Sequence, residues 1–322
     1  MMVLSIIKFA RIKIVITCFA IALVGSVASG GITIKILIAL FLVIAMNVHA
    51  NSINDYADKD IDKINLKKAS DRPLLTKDIT LNQFWTIHFG SGVLALALSA
   101  LYGFRGVVLM VAVLFIDYIY SLKPFRLTDK TLTSPILLAL TYTYYSFSLG
   151  FWSTNNGRGY AWLLSSGICL GFIARLLLKD FRDVKGDKKY GKITFLIRYG
   201  AKLTCFASGT FWLLAMLVIG QSTSFATGVI LPLSLGSIMV LVWLQELSRV
   251  REIDGQQRII ALIAKAGNIA IITILTYLIC QQRAGLSAVE IELIPAVIGS
   301  ALLLLNWFSS SNHRRLVYVR SN

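Results

Sequence analysis

Charge is scarce in this 322-residue sequence: Asp, Glu, Lys and Arg together make up 15%, where a water-soluble domain carries about a quarter. With 56% hydrophobic residues and a mean hydropathy of +0.72, the composition excludes an ordinary soluble globular protein. A Ser/Pro-rich linker and a low-complexity tail are also missing. The chain therefore reads as one membrane domain over residues 1–322, not an anchor joined to a soluble enzyme. The four cysteines, Cys18, Cys169, Cys205 and Cys280, lie in apolar runs without a Cys-x-x-Cys pair, which assigns them to packing. His49, His88 and His313 are scattered along the chain and spell no zinc site.

What the chain has in abundance is long apolar runs. Crossing the hydrocarbon core takes roughly 20 apolar residues as a helix, because each backbone polar group must be satisfied within its own segment. Ten runs qualify: 12–29, 32–53, 81–102, 106–122, 134–152, 160–179, 202–220, 225–246, 260–281 and 288–308. The first follows Lys8, Arg11 and Lys13 and ends at Ser26-Val27-Ala28-Ser29-Gly30, which also resembles a signal peptide with its small-residue cleavage site. It is read as a span because the next span begins within a few residues and nothing downstream looks secreted.

The net charge of +16 would, in a soluble protein, raise the question of nucleic acid. Its distribution answers that question. With the N-terminus placed in the cytoplasm, 26 of the 32 Lys and Arg residues fall on the cytoplasmic side. Only Arg105, Arg158 and Arg283 fall outside, and Lys35, Arg175 and Lys265 lie within spans. Such a bias sets the orientation of a multi-pass protein. The charge thus reports topology, and no nucleic-acid partner is expected. The loops after spans 2, 4 and 6 share one face, so chemistry carried by them can converge.

Two of those loops are rich in aspartate. Span 2 runs from Asn51 into Asn54, Asp55, Asp58 and Asp62, with no Pro or Gly between. On a helix, Asn54, Asp58 and Asp62 stack at i, i+4 and i+8 with Asp55 beside them. Span 6 ends in Lys179, Asp180, Asp183 and Asp187, repeating an i, i+3, i+7 column. Stacked carboxylates repel by about 0.2–0.5 kcal/mol per pair, so a cation is expected to offset them. Mg2+ prefers oxygen ligands and is usually held by one or two carboxylates plus substrate phosphates. Asn54, Asp55, Asp58, Asp62, Asp180, Asp183 and Asp187 are therefore the candidate ligands of magnesium carrying a diphosphate. Asp60, Asp71, Asp78 and Asp129 are read as solvated helix-end charges. An EF-hand is excluded, since the columns have helical spacing and no Glu.

A diphosphate also needs donors. Tyr120, Lys123 and Arg126 follow span 4, and Pro124 ends the helix so that the two cations can turn back toward the mouth. Arg72 and Arg11 are further candidates, in that order; Asn51 and Lys179 flank the acidic columns.

These residues resemble the UbiA-type intramembrane prenyltransferases. The family's N-D-x-x-D-x-x-x-D motif reads here as Asn54, Asp55, Asp58 and Asp62, and its D-x-x-D-x-x-x-D motif as Asp180, Asp183 and Asp187. Further likeness lies in Arg72-Pro73-Leu74, Tyr120-Ser121, Pro124-Phe125-Arg126-Leu127 and Gly191-Lys192-Ile193-Thr194. It extends from about residue 8 to 200. The resemblance implies an all-α bundle of nine or ten transmembrane helices around a central cavity. It also implies Mg2+ bridging both motifs to a prenyl diphosphate, with Asp58, Asp183, Lys123, Arg126 and Tyr120 in catalytic roles. Ionisation would leave an allylic cation that an aromatic or lipid acceptor attacks before losing a proton. Three departures stand out: a tenth span at 288–308, an insertion at Leu66 to Asp71, and altered spacing that leaves Lys123 or Arg126 as the phosphate contact.

The second motif looks more like branches using lipid-glycerol, homogentisate-like or chlorin acceptors than the hydroxybenzoate branch. A terpene cyclase of the same superfamily is the alternative enzyme, with the substrate's own alkene as acceptor. A cation-coupled transporter is the alternative from another class. Transporters, however, place such carboxylates near the midplane beside broken helices.

Overall fold

Inside a bilayer a backbone without local partners is penalised by several kcal/mol per group, and the described residues answer with helices. The computed structural model describes residues 2–65, 72–154 and 160–320, with the backbone alone described for 160 and 310–320. No strand occurs among the described residues. The chain divides into two compact units, Met1–Gly157 with Asp183–Arg198, and Arg158–Arg182 with Tyr199–Asn322.

The first unit contains α1 (Met2–Ala10), α2 (Ile12–Ala28), α3 (Lys35–Ala57), α4 (Lys59–Asn65), α5 (Leu81–Ser99), α6 (Gly103–Ser121), α7 (Thr133–Leu140), α8 (Ser146–Phe151) and, from further along the chain, α10 (Val184–Lys189). The second contains α9 (Tyr160–Leu176), most of α11 (Phe195–Ser222), α12 (Thr227–Leu247), α13 (Ile253–Gln282) and α14 (Ala288–Arg320).

All ten apolar runs fall on helices. Seven segments among the described residues are long and apolar enough to cross a membrane. One of these, Leu81–Ser121, is α5 and α6 joined by a 3-10 turn at Ala100–Tyr102. The 17-residue α2 is a shorter apolar helix, and α7 continues through a π-helical stretch, Thr141–Tyr145, into α8. The fold is an all-α transmembrane bundle.

In the first unit α3 is the hub, packing on α1, α2, α5, α6 and α8. Lipid tails supply no hydrophobic drive between helices, so close backbone approach must hold them. Glycine makes that possible where α2 meets α8: a Cβ on Gly25 would strike the Phe147 carbonyl, and one on Gly150 the Ala22 carbonyl. In the second unit α12, α13 and α14 pack on one another, and α9 packs on α13. Trp243, fully buried, stacks on Trp307 with ring centroids 5.6 Å apart.

The two acidic segments depart from continuous helices. α3 stops at Ala57, and Asp58 at φ −96° and ψ 9° caps it before α4 resumes at Lys59. Hydrogen bonds from Asp58 N to Asn54 O and from Asp62 N to Asp58 O keep the i, i+4 stacking across the break. After α9 the chain passes through a 3-10 turn at Lys179–Phe181, and Asp183 caps α10. At the first break the Asp58 carboxylate turns to Arg126 and Lys192 and, among the described residues, makes no contact with the helix backbone.

Candidate active site

The site is assembled within the first unit at one end of its helices, where α3 and α6 finish and α2 begins. Asp55, Asp58 and Asp62 are all buried, and such carboxylates need paired charges. Four basic side chains provide them. Arg11 Nη2 donates to Asp55 Oδ1 at 2.6 Å, and Arg72 Nε lies 3.3 Å from the same oxygen and 2.5 Å from Asp62 Oδ2. Arg126 Nη2 donates to Asp58 Oδ1 at 2.5 Å, and Lys192 Nζ to Asp58 Oδ2 at 3.1 Å. Lys192 also lies 3.8 Å from Asp187 Oδ1 and 3.9 Å from Asp129 Oδ1.

Two of these arginines hold unusual backbone conformations. Arg11 has φ 49° and Arg126 φ 38°, a left-handed region that disfavours residues with a Cβ. Strain of this kind, of order 1–3 kcal/mol per residue, persists where the surroundings impose it. Here both strained residues grip a carboxylate of the first motif.

The second motif reaches the site through α10, which packs on α4. The Gly186 amide donates to Asn65 Oδ1 at 2.6 Å, and the Gly191–Lys192 turn brings Lys192 back onto Asp58. Asp183 and Asp187 belong to this unit, whereas Asp180 belongs to the other. The charges are stable in this setting. Burial works against the Arg72 charge, but Asp55 and Asp62 outweigh it and hold the guanidinium above its ordinary value. Lys192 follows the same pattern, with desolvation overcome by Asp58 and Asp187.

The other candidates are placed as follows. Asn51 is buried, its amide donating to Phe9 O at 3.0 Å. Tyr120 is buried, its hydroxyl 2.9 Å from Ser134 Oγ. Lys123 is exposed, and among the described residues it pairs with no carboxylate. Asn54 is half-buried beside them, and Lys179 lies in the second unit. Asp60 is exposed on Lys63, and Asp78 pairs with Lys8 at 2.6 Å. Asp129 pairs with Arg126 at 3.1 Å, so it belongs to the cluster. Asp71 lies outside the described residues.

A family model described as the UbiA prenyltransferase family matches residues 14–269. The chain belongs to the UbiA prenyltransferase family. It is similar to a chloroplastic 2-acylphloroglucinol 4-prenyltransferase of Humulus lupulus, 25% identical over 65% of this chain and 51% of that protein. The chain thus spans about half the length of the first curated relatives it matches. Among solved structures, it resembles one described for digeranylgeranylglyceryl phosphate synthase, with TM-score 0.64 and 22% identity over 85% of this chain and 97% of that one. It also resembles a UbiA homolog from Archaeoglobus fulgidus bound to DMAPP and Mg2+, with TM-score 0.57 and 15% identity over 83% and 99%.

For a UbiA-family chain the question is whether the residues present fit a magnesium ion. Among the described residues no three metal-binding side chains converge into a ready-made cage, because basic groups separate the carboxylates. One oxygen is nevertheless left over: Asp55 Oδ2 is buried without a hydrogen-bond partner. An orphaned hard oxygen beside further carboxylates suits an ion that takes one or two protein ligands and the rest from water and phosphate.

Lys192 is the residue that reading for acidic spacing passes over. Its signal was the Gly191-Lys192-Ile193-Thr194 stretch, legible as likeness to the UbiA family but with no chemistry of its own until the chain folds back.

Proposed function

We propose that the buried cluster binds a prenyl diphosphate together with magnesium, and that the protein transfers the prenyl group to an aromatic or lipid acceptor within the membrane. The observation that carries this reading is the meeting of Asp55, Asp58, Asp62 and Asp187 with Arg11, Arg72, Arg126 and Lys192 at one end of transmembrane helices. Asp55, Asp58 and Asp62, with Asn54, Asp183 and Asp187, would hold the metal. When bound, magnesium supplies electrostatic stabilisation of the negative charge gathering on the diphosphate.

The chain's own residues do the rest. Arg11, Arg72, Arg126 and Lys192 are permanent or strongly held cations in donor range of the same mouth, and they bind and orient the diphosphate oxygens. Their present carboxylate partners keep them desolvated and fixed, so little reorganisation is needed when a phosphate takes over a contact. Burial of Asp55, Asp58 and Asp62 keeps bulk water from the groups that would meet the diphosphate. DMAPP and Mg2+ in the Archaeoglobus fulgidus homolog support the donor and the metal. The prenyltransferase relative and the synthase structure support an aromatic and a lipid acceptor respectively. The excess of basic residues in loops 2, 4 and 6 supports a cytoplasmic mouth and N-terminus.

The test incubates the purified protein with magnesium, allylic diphosphates of several chain lengths and a membrane extract, and identifies the products by mass spectrometry. A prenylated product that needs both magnesium and protein is expected; the absence of any such product would overturn the reading.

A further inference from the structure

A second polar assembly lies deeper in the first unit, on the transmembrane helices α3, α5 and α6. His49 Nδ1 and Asp117 Oδ2 are 3.0 Å apart, and the His49 ring stacks on His88 with centroids 4.2 Å apart. His88 is hydrogen-bonded through Nδ1 to Ser52 Oγ at 2.9 Å and through Nε2 to the Tyr118 hydroxyl at 2.8 Å. His49, His88 and Asp117 are all buried. Ionisable groups within membrane spans are expensive, and they mark functional positions by default.

Asp117 differs from the rest of this network. Its Oδ1 has no hydrogen-bond partner among the described residues, yet it is not among the fully sealed polar atoms, and 8% of the side chain stays open. An unpaired carboxylate oxygen is the exception among buried polar groups and calls for a partner. Asp117 lies within electrostatic range of Tyr142 and Tyr145 on the π-helical stretch. Tyr142 is in turn within range of Arg11, which holds Asp55. Along α3, His49 precedes Asp55 by six residues, about 9 Å of helix. Asp117 therefore stands on the membrane side of the diphosphate cluster, where the reacting carbon of a bound prenyl group would point.

We infer that Asp117, held in place by His49, receives the acceptor. Resting on the prenyl-transfer reading above, it binds the uncharged hydroxyl of a phenol or alcohol and takes its proton. The balance is simple. The allylic C–O bond breaks and its electron pair leaves on the diphosphate. The acceptor's oxygen or activated ring carbon forms the new bond with its own electron pair, and its hydroxyl proton passes to Asp117 Oδ1. For attack through ring carbon, the ring hydrogen lost on re-aromatisation restores the hydroxyl. His49 is a positioning residue: donating from Nδ1 to Oδ2, it fixes the carboxylate and leaves Oδ1 for the acceptor. Gly92 on α5 gives the imidazole its room, since a Cβ there would lie 3.0 Å from His49 Cδ2 and 3.4 Å from Nε2. An acceptor presenting a carboxylate to Asp117 is repelled.

The test uses the purified full-length protein with magnesium and an allylic diphosphate. Inorganic diphosphate and prenylated product are measured in the same reaction across matched acceptors, with and without a carboxylate beside the hydroxyl. Wild type is expected to favour the uncharged acceptors. In Asp117→Asn the fraction of released diphosphate that ends as prenylated acceptor falls about 100-fold, the remainder appearing as prenyl alcohol. Gly92→Ala, which removes no ionisable group, lowers that fraction about tenfold through displacement of His49, and it carries the test where Asp117→Asn fails to fold. An unchanged fraction in both variants, or equal use of carboxylated acceptors by wild type, overturns the inference while leaving prenyl transfer intact. Wild-type protein that releases no diphosphate overturns prenyl transfer itself, and this inference with it.

Discussion

The two units solve the same problem, burying helices in lipid, with different chemistry. In the first, buried charge dominates: Asp55, Asp58, Asp62, Asp187, Arg72 and Lys192 pair at the helix ends, and His49 and Asp117 pair further in. In the second, the described contacts include aromatic packing, as at Trp243 on Trp307, and neutral or singly charged polar ties such as Arg175 Nη1 to Asn268 Oδ1 at 3.0 Å and Trp212 Nε1 to Ser237 Oγ at 3.1 Å. Buried ion pairs are weak evidence of stability, because desolvation offsets most of their attraction. Their gathering at the helix ends of the first unit is better explained by function, and the contact of Trp243 with Trp307 in the second by packing.

The contrast can be broken by substitutions that separate activity from stability. The largest effect is expected for Asp183→Ala in the first unit. Magnesium-dependent diphosphate release should fall by roughly 1000-fold, while size-exclusion profiles in detergent stay unchanged. Trp243→Ala in the second unit should do the reverse. Stability falls by about 3–5 kcal/mol through an unfilled cavity, read as a lowered thermal midpoint, with diphosphate release per folded molecule close to wild type.

Lys192→Ala tests whether the shared cation serves both roles. Removing the cation that Asp58 and Asp187 share should destabilise by about 3 kcal/mol and raise the KM for the prenyl diphosphate about tenfold. The folded Lys192 pKa lies above its ordinary value of 10.5. Its contribution is therefore complete below that value and is lost only as pH rises through the raised one. The deficit of Lys192→Ala should accordingly be constant from about pH 6 to about pH 9. The smallest effect is expected for Lys123→Ala, whose exposed side chain pairs with no carboxylate among the described residues; release should stay within about threefold of wild type.

Much of this was legible in residue spacing because a bilayer permits so few structures. The ten apolar runs became helices, and loop parity anticipated that residues after spans 2, 4 and 6 would share a face. Asp55, Asp58, Asp62, Asp187 and Arg126 do meet there. Other features were hidden by the nature of the signal. The helix breaks at Asp58 and at Asp183 interrupt segments whose spacing alone reads as continuous helix. Arg11 outranks its expected place because a left-handed backbone turns it onto Asp55, and no local motif announces that turn. His49 and His88 read as scattered because they lie 39 positions apart in the chain. Their contact exists only once α3 and α5 pack, and Asp117 entered no motif at all.

Release of inorganic diphosphate from an allylic diphosphate is measured for purified wild type and Asp58→Ala, each with magnesium and with chelator. Wild type with magnesium should release diphosphate, and the other three reactions none above background. Asp58→Ala releasing diphosphate at the wild-type rate, in a folded protein, would contradict the proposed role of the cluster.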